Sequence, residues 1–417
     1  MKLTIGFGYR PQEIEIQDKL IMDILKPNKV ELGLTGAEEV KRSLQNPIGT
    51  KELSEIVKKG EKIVIITSDV TRPLPSYKII PSILDELYEI GVNKEDVTVV
   101  FALGSHRPHT KEEMIQLVGE KVYNEVSCID SDANDCVRMG MTKGGTPVDI
   151  FRVVAESDKR ICIGNIEFHY FAGYSGGSKA IMPGVSTPSA IQANHSKMVL
   201  EDAKAGNLVN NPVRDDLNEA IKYCPIDFIV NVVLNEKKEI IHSVAGDFIE
   251  AHREGCKFLD RIYKKELKRK ADIVIVSQGG GPKDLNLYQT QKALDNAKHA
   301  IKDGGIIILV GSCKEGLGNE TFEQWMTGAN SPDELIARIK NKFTLGGHKA
   351  AAIALVLKKA QIFMVSEMDP CLVKSIFMKP YNTIQEAYDD AVQELGDESR
   401  VLVMPYGGST LPYLKEY

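Results

Sequence analysis

Short apolar, β-branched runs alternate with longer amphipathic stretches along most of this chain. Ile63-Val64-Ile65-Ile66-Thr67 reads as a buried strand, because an unbroken apolar run suits a strand covered on both faces. A helix is expected over residues 77–90 and a strand over 97–103. Thr110-Lys111-Glu112-Glu113 forms a capping box that opens the next helix. Strands follow at 160–166 and 227–234, and between them Thr187-Pro188 supplies a cap and a first-turn proline for a helix running through His195. Residues 247–270 read as one long amphipathic helix whose basic end is a solvated terminus. The alternation then restarts: strand 272–277, helix 288–302, strand 305–311, helix 333–340, strand 362–366, helix 383–395 and strand 401–404. This pattern predicts two α/β domains with largely parallel sheets. The expected division is an N-terminal domain over 1–270, rejoined by the tail 405–417, and a C-terminal domain over 271–404. Ligands of such sheets sit beyond the carboxyl ends of the strands, and an active-site cleft between the domains is expected.

Composition narrows the function classes. The chain has 417 residues, 43% hydrophobic and 26% charged, the mix of a globular protein. A net charge of −6 gives no basic face for nucleic acid. No apolar run approaches the ~20 residues of a membrane helix, and the first residues lack the apolar core of a signal peptide, so a cytoplasmic protein is expected. Seven cysteines with no CxxC pair argue against a disulfide framework or a cysteine-ligated zinc.

Polar residues directly after strands carry the candidate chemistry. Ser68-Asp69-Val70-Thr71-Arg72-Pro73 offers a carboxylate and a two-pronged cation three apart, which suits a carboxylate or phosphate or simply a loop-fixing ion pair. In Gly104-Ser105-His106-Arg107-Pro108-His109, His106 stands where strand meets loop, while His109 reads as structural. The richest stretch is 165–179, where a glycine-rich turn ends in Ser178-Lys179 without P-loop spacing. His169 precedes that lysine and His195 follows it on the expected helix. In the second half Gly279-Gly280-Gly281 precedes a helix on which Gln289 and Lys292 share a face. Several basic groups within an acidic protein fit a small anionic ligand.

Taken together, SDVTRP (68–73), ALGSHRPHT (102–110), HYFAGYSGGSKAIMPGV (169–185), QANH (192–195) and PKDLNLYQTQKALDNA (282–297) resemble the nickel-dependent lactate racemase family over essentially the whole chain. The resemblance implies a nickel pincer nucleotide, a pyridinium ring gripping nickel through two sulfurs and a carbon. It implies that Lys179 is the covalent attachment point and His195 the nickel ligand. It implies that His106 and His169 are the catalytic acid and base, and that Asp69, Arg72 and Tyr288 contact the cofactor. Arg72, Gln289 and Lys292 would contact the substrate. The only tryptophan, Trp325, is not matched to the tryptophan that the family's best-described members place near the cofactor. Expected partners are a small 2-hydroxy acid and the cofactor-biosynthesis enzymes, with no nucleic acid and no membrane.

Removing the C2 hydrogen of lactate as a proton would create a second negative charge beside the carboxylate, whereas hydride loss leaves a planar 2-oxo acid that can be reduced on either face. The cofactor would carry that hard step, and two histidines would move the hydroxyl proton. The expected activity is racemisation of lactate or a closely related 2-hydroxy acid. The alternatives are another 2-hydroxy acid racemase or epimerase with the same cofactor, a pyridoxal phosphate enzyme with its Schiff base on Lys179, or a non-enzymatic organic-anion-binding protein.

Overall fold

The structure, a computed structural model, describes residues 1–414. It forms two compact units: Val30–Arg261, and Met1–Lys29 together with the chain from Ile262 on.

The unit spanning Val30–Arg261 is built on a six-stranded sheet. Its strands run in the order Ile240–Gly246, Phe228–Leu234, Lys159–Asn165, Ile63–Ser68, Val97–Ala102, Ser127–Asp130. All neighbours are parallel except the first pair. One face, with Ile63, Ile65, Val97, Val99, Ile161 and Val230, packs against helices Ser76–Glu89 and Gly36–Leu44 through Ile79, Ile83, Leu87, Val40 and Leu44. The alternate positions Val64, Ile66, Val100 and Cys162 are buried as well. Burial on both faces is why these strands read as unbroken apolar runs rather than alternating ones.

The other unit carries a fully parallel six-stranded sheet in the order Lys379–Tyr381, Gln361–Val365, Ile301–Val310, Ala271–Ser277, Val401–Met404, Ile21–Ile24. Val274, Val276, Ile307 and Leu309 face helices Leu287–Ala297 and Gly347–Leu357. Ile273, Ile275, Ile306 and Ile308 face helix Ile384–Leu395 and the N-terminal residues Ile5, Ile14, Ile16 and Leu20.

Four expectations need correction. The first 29 residues belong with the C-terminal half, not with an N-terminal domain 1–270, because Ile21–Ile24 adds an edge strand to its sheet and the four N-terminal side chains fill its core. The tail does not rejoin the N-terminal unit: Leu411–Leu414 pairs with Lys264–Leu267, and Gly407 is held by Ser277 and Asn296; residues 415–417 lie outside the described residues. The helix read over 247–270 spans only Glu250–Tyr263, and its basic end becomes the strand Lys264–Leu267. That pairing partner is far away in sequence, so local amphipathicity could not announce it. The helix starting near 288 likewise ends at Ala297, and the next strand starts at Ile301.

Candidate active site

Three adjacent parallel strands of the Val30–Arg261 unit deliver most of the candidate residues from their carboxyl ends, where an open sheet places its ligands. Ile63–Ser68 leads into Asp69 and Arg72, Val97–Ala102 into His106, and Lys159–Asn165 into His169 and Lys179.

Asp69 is buried and accepts from His106 Nδ1–H at 2.8 Å and from the Thr71 hydroxyl at 3.0 Å. Burial works to raise its carboxyl, but the His106 and Thr71 hydrogen bonds and the charge of Arg72 outweigh it and hold the carboxyl below the usual carboxylate range. His106 is thus fixed with its hydrogen on Nδ1, while the Arg72 side chain lies exposed. His109 is structural, as read: its Nδ1–H donates to Asp130 at 2.6 Å and its Nε2 accepts from the Val70 amide at 2.9 Å. That bond ties the Asp69–Arg72 loop to the neighbouring strand.

Lys179, His169 and His195 gather on one aromatic ring. The Lys179 ammonium lies 5.9 Å from the centre of Phe171, and the rings of His169 and His195 lie at 4.5 and 4.8 Å, both edge-on. Burial, then Arg214 and Arg72, pushes Lys179 well below the ordinary lysine value. His169 is likewise pushed well below the histidine value, first by burial and then by Lys179, Arg72, His195 and Arg214. Its Nδ1 accepts from the Ala172 amide at 3.2 Å, so the neutral ring carries its hydrogen on Nε2. His195 closes helix Pro188–His195, whose Thr187 cap and first-turn proline match the sequence reading; its Nδ1 lies 2.9 Å from Asn194 Oδ1.

The turn between His169 and Lys179 is held from behind by residues the sequence reading missed. Buried Arg214 donates to the carbonyls of Ala172 at 3.2 Å, Gly176 at 3.2 Å and Tyr174, and to the Ser178 hydroxyl at 3.3 Å. His252 Nε2 donates to the Ser175 carbonyl at 2.7 Å, and Asn231 accepts from the Gly177 amide at 2.8 Å. Gly173, at φ +76°, has Asn207 O only 2.1 Å from where a Cβ would stand; no side chain fits there. The Asn211-Pro212 cap could have announced helix Pro212–Ala220. Nothing local marks Arg214 as buried rather than solvated.

Tyr288, Gln289 and Lys292 lie on the other unit, at the start of helix Leu287–Ala297, where Asn286 caps the Gln289 amide at 3.1 Å. The Lys349 ammonium stands 3.7 Å from the centre of the Tyr288 ring. Gln289 and Lys292 are exposed. The glycine triplet before them is explained by packing: a Cβ on Gly280 would stand 2.8 Å from Gly8 O and one on Gly279 3.0 Å from the Tyr406 ring, so these glycines admit close neighbours. Among the described residues no three His, Cys, Asp or Glu side chains form a group that could hold a metal, and no helix is long and apolar enough to cross a membrane.

Comparison with known proteins bears on the family and the fold. Residues 7–207 match the lactate racemase N-terminal domain family and residues 267–411 the lactate racemase C-terminal domain family. The chain is 34% identical to the lactate racemase of Thermoanaerobacterium thermosaccharolyticum, with 98% of each chain covered, and 36% identical to that of Lactiplantibacillus plantarum, with 90% of each covered. The solved lactate racemase apoprotein from T. thermosaccharolyticum superposes with a TM-score of 0.91 at 33% identity, covering 100% of both chains. A Thermotoga maritima protein at 19% identity, covering 92% of this chain and 100% of its own with a TM-score of 0.68, shares the fold alone. The chain belongs to the lactate racemase family of isomerases.

Proposed function

We propose that this chain racemises lactate or a closely related 2-hydroxy acid, using a nickel pincer nucleotide attached through Lys179. One observation carries the reading: Lys179, His169 and His195 share the ring of Phe171, beside the cations Arg72 and Arg214.

The residues suit that group. Lys179 is held toward its uncharged amine, the nucleophilic form that an amide-type link to the nucleotide would require. His195 places Nδ1 against Asn194, which suits metal ligation through its other nitrogen. The resemblance gives the nickel's other ligands to the nucleotide itself. When bound, the nucleotide would supply hydride-acceptor chemistry for the C2 hydrogen of the substrate.

The side chains supply binding and proton movement. Arg72 offers a planar fork to the substrate carboxylate. Asp69 takes the Nδ1–H of His106, so its Nε2 can accept the substrate hydroxyl proton, in the way a carboxylate orients a base in hydrolase triads. His169 presents Nε2–H as a hydrogen-bond donor to the 2-oxo oxygen, and the proton returned to that oxygen is the one His106 has taken up. Opposite tautomers give one histidine the lone pair of a base and the other a hydrogen-bond donor at the substrate oxygen. On the other unit, Gln289 and Lys292 present an amide and an ammonium, groups that suit a hydroxy acid, and Tyr288 keeps the cofactor role that the resemblance gives it.

The test is enantiomer interconversion followed by chiral chromatography, on protein produced together with the cofactor-assembly enzymes. Lactate should racemise from both enantiomers, and His106→Ala should keep the nucleotide but lose turnover. Failure of the loaded wild-type protein to act on lactate or other small 2-hydroxy acids would refute the reading.

A further inference from the structure

A layer of polar groups behind His195 plays no part in the chemistry above. Thr142 and Thr146 stand where the hairpin Cys136–Met141/Pro147–Phe151 turns. Their hydroxyls donate to the two oxygens of Asp216 at 2.5 and 2.6 Å. Lys197 donates to the same carboxylate at 3.1 Å. Asn194, fully buried, directs Nδ2 at Asp216 Oδ2 (2.8 Å) and at the Val213 carbonyl (3.2 Å). Both of these neighbours only accept, so that end of the amide has to be the NH2 group. The other end is then the oxygen, 2.9 Å from His195 Nδ1. An oxygen there requires Nδ1 to carry the hydrogen.

We propose that Asp216 is a positioning residue which, acting through Asn194, locks His195 in the Nδ1–H tautomer and so gives Nε2 the lone pair for the metal. The inference rests on the reading of His195 as the nickel ligand. The hairpin turn and Lys197 fix the carboxylate, the carboxylate fixes which way the amide points, and the amide fixes the imidazole. With the carboxylate gone the amide can turn over and present its NH2 group to Nδ1. The hydrogen of the imidazole then moves to Nε2, the nitrogen a metal would need. This chain of contacts also gives the hairpin, which contributes no residue to the chemistry, a reason to be where it is. Partners of this kind behind a metal-bound histidine typically alter metal affinity about 10- to 100-fold when removed.

The apoprotein tests this without nickel. In nitrogen-labelled histidine, long-range proton–nitrogen correlation spectra report the tautomer of His195, assigned by its absence from His195→Gln. The wild type should show Nδ1–H, and Asp216→Asn should show a mixed or reversed tautomer. A wild-type Nε2–H signal overturns the proposal with no variant needed, and an unchanged tautomer in Asp216→Asn overturns it too. In holoenzyme, Asp216→Asn should lose nickel to a chelator about tenfold faster or more, with the nucleotide mass still on Lys179; unchanged nickel retention contradicts the role. His195→Gln holoenzyme that kept its nickel would refute the ligand assignment itself, a failure the tautomer spectrum keeps separate.

Discussion

Lys179 sits in a place that costs the apoprotein stability. Its folded value lies below the ordinary 10.5, through burial and then Arg214 and Arg72. Between the two values the unfolded chain binds a proton that the folded chain does not, so stability rises with pH across that window. Lys179→Met apoprotein should therefore melt higher than wild type at neutral pH, and the gap should narrow as pH approaches 10.5; an equal melting temperature at all pH values would contradict the burial argument. Asp69 is depressed in the same direction but stabilises the fold: its contribution is present above the ordinary 3.8 and fades as pH falls below it. Asp69→Asn should lower kcat by about 10²-fold or more, because the amide can present its NH2 to His106 Nδ1 and place the hydrogen on Nε2. Full kcat in that variant would remove Asp69 from the orienting role. At this scale Asp69, His106, His169 and Lys179 were legible because polar residues that end an apolar strand are conspicuous. Arg214 and Asp216 were not, since an Arg and an Asp two apart in an amphipathic helix read as surface until the turn that Arg214 holds and the amide that Asp216 holds are seen.

Local signals located elements well where the cause was itself local. Thr187-Pro188 starts helix Pro188–His195, and the capping boxes at Thr110 and Thr383 start theirs. Thr187 accepts from the Ala190 amide at 3.3 Å, and Thr187→Ala should cost about 1 kcal/mol in denaturant unfolding. Gly173→Ala is the stronger test of the turn carrying His169 and Lys179. With φ +76° and Asn207 O at 2.1 Å from the new Cβ, it should cost more than about 1 kcal/mol and reduce Lys179 loading by the cofactor-assembly enzymes. Wild-type stability and loading would show that the turn tolerates another path. The misread stretch at 264–270 marks the limit of local reading. A helix-like pattern there yields to pairing with Leu411–Leu414, a partner that lies at the other end of its unit in sequence.

Over the whole molecule, the fold class was legible from the alternation of strands and helices, but the partition was not. The N-terminal strands Lys2–Ile5 and Gln12–Glu15 are short and polar enough to pass for loop, and the buried set Ile5, Ile14, Ile16 and Leu20 shows that they complete the second sheet's cover. Leu20→Ala should cost about 2–5 kcal/mol and speed amide exchange in Ala271–Ser277 while leaving Ile63–Ser68 unaffected; exchange that rose instead in Ile63–Ser68 would contradict the partition. The central claim is chemical, that Lys179 carries a nickel nucleotide, and intact-protein mass spectrometry with nickel analysis tests it most directly. Protein produced together with the cofactor-assembly enzymes should carry an added nucleotide mass mapping to Lys179, with about one nickel per chain, and Lys179→Ala should carry none of that mass. Bare, nickel-free protein under those conditions would contradict it.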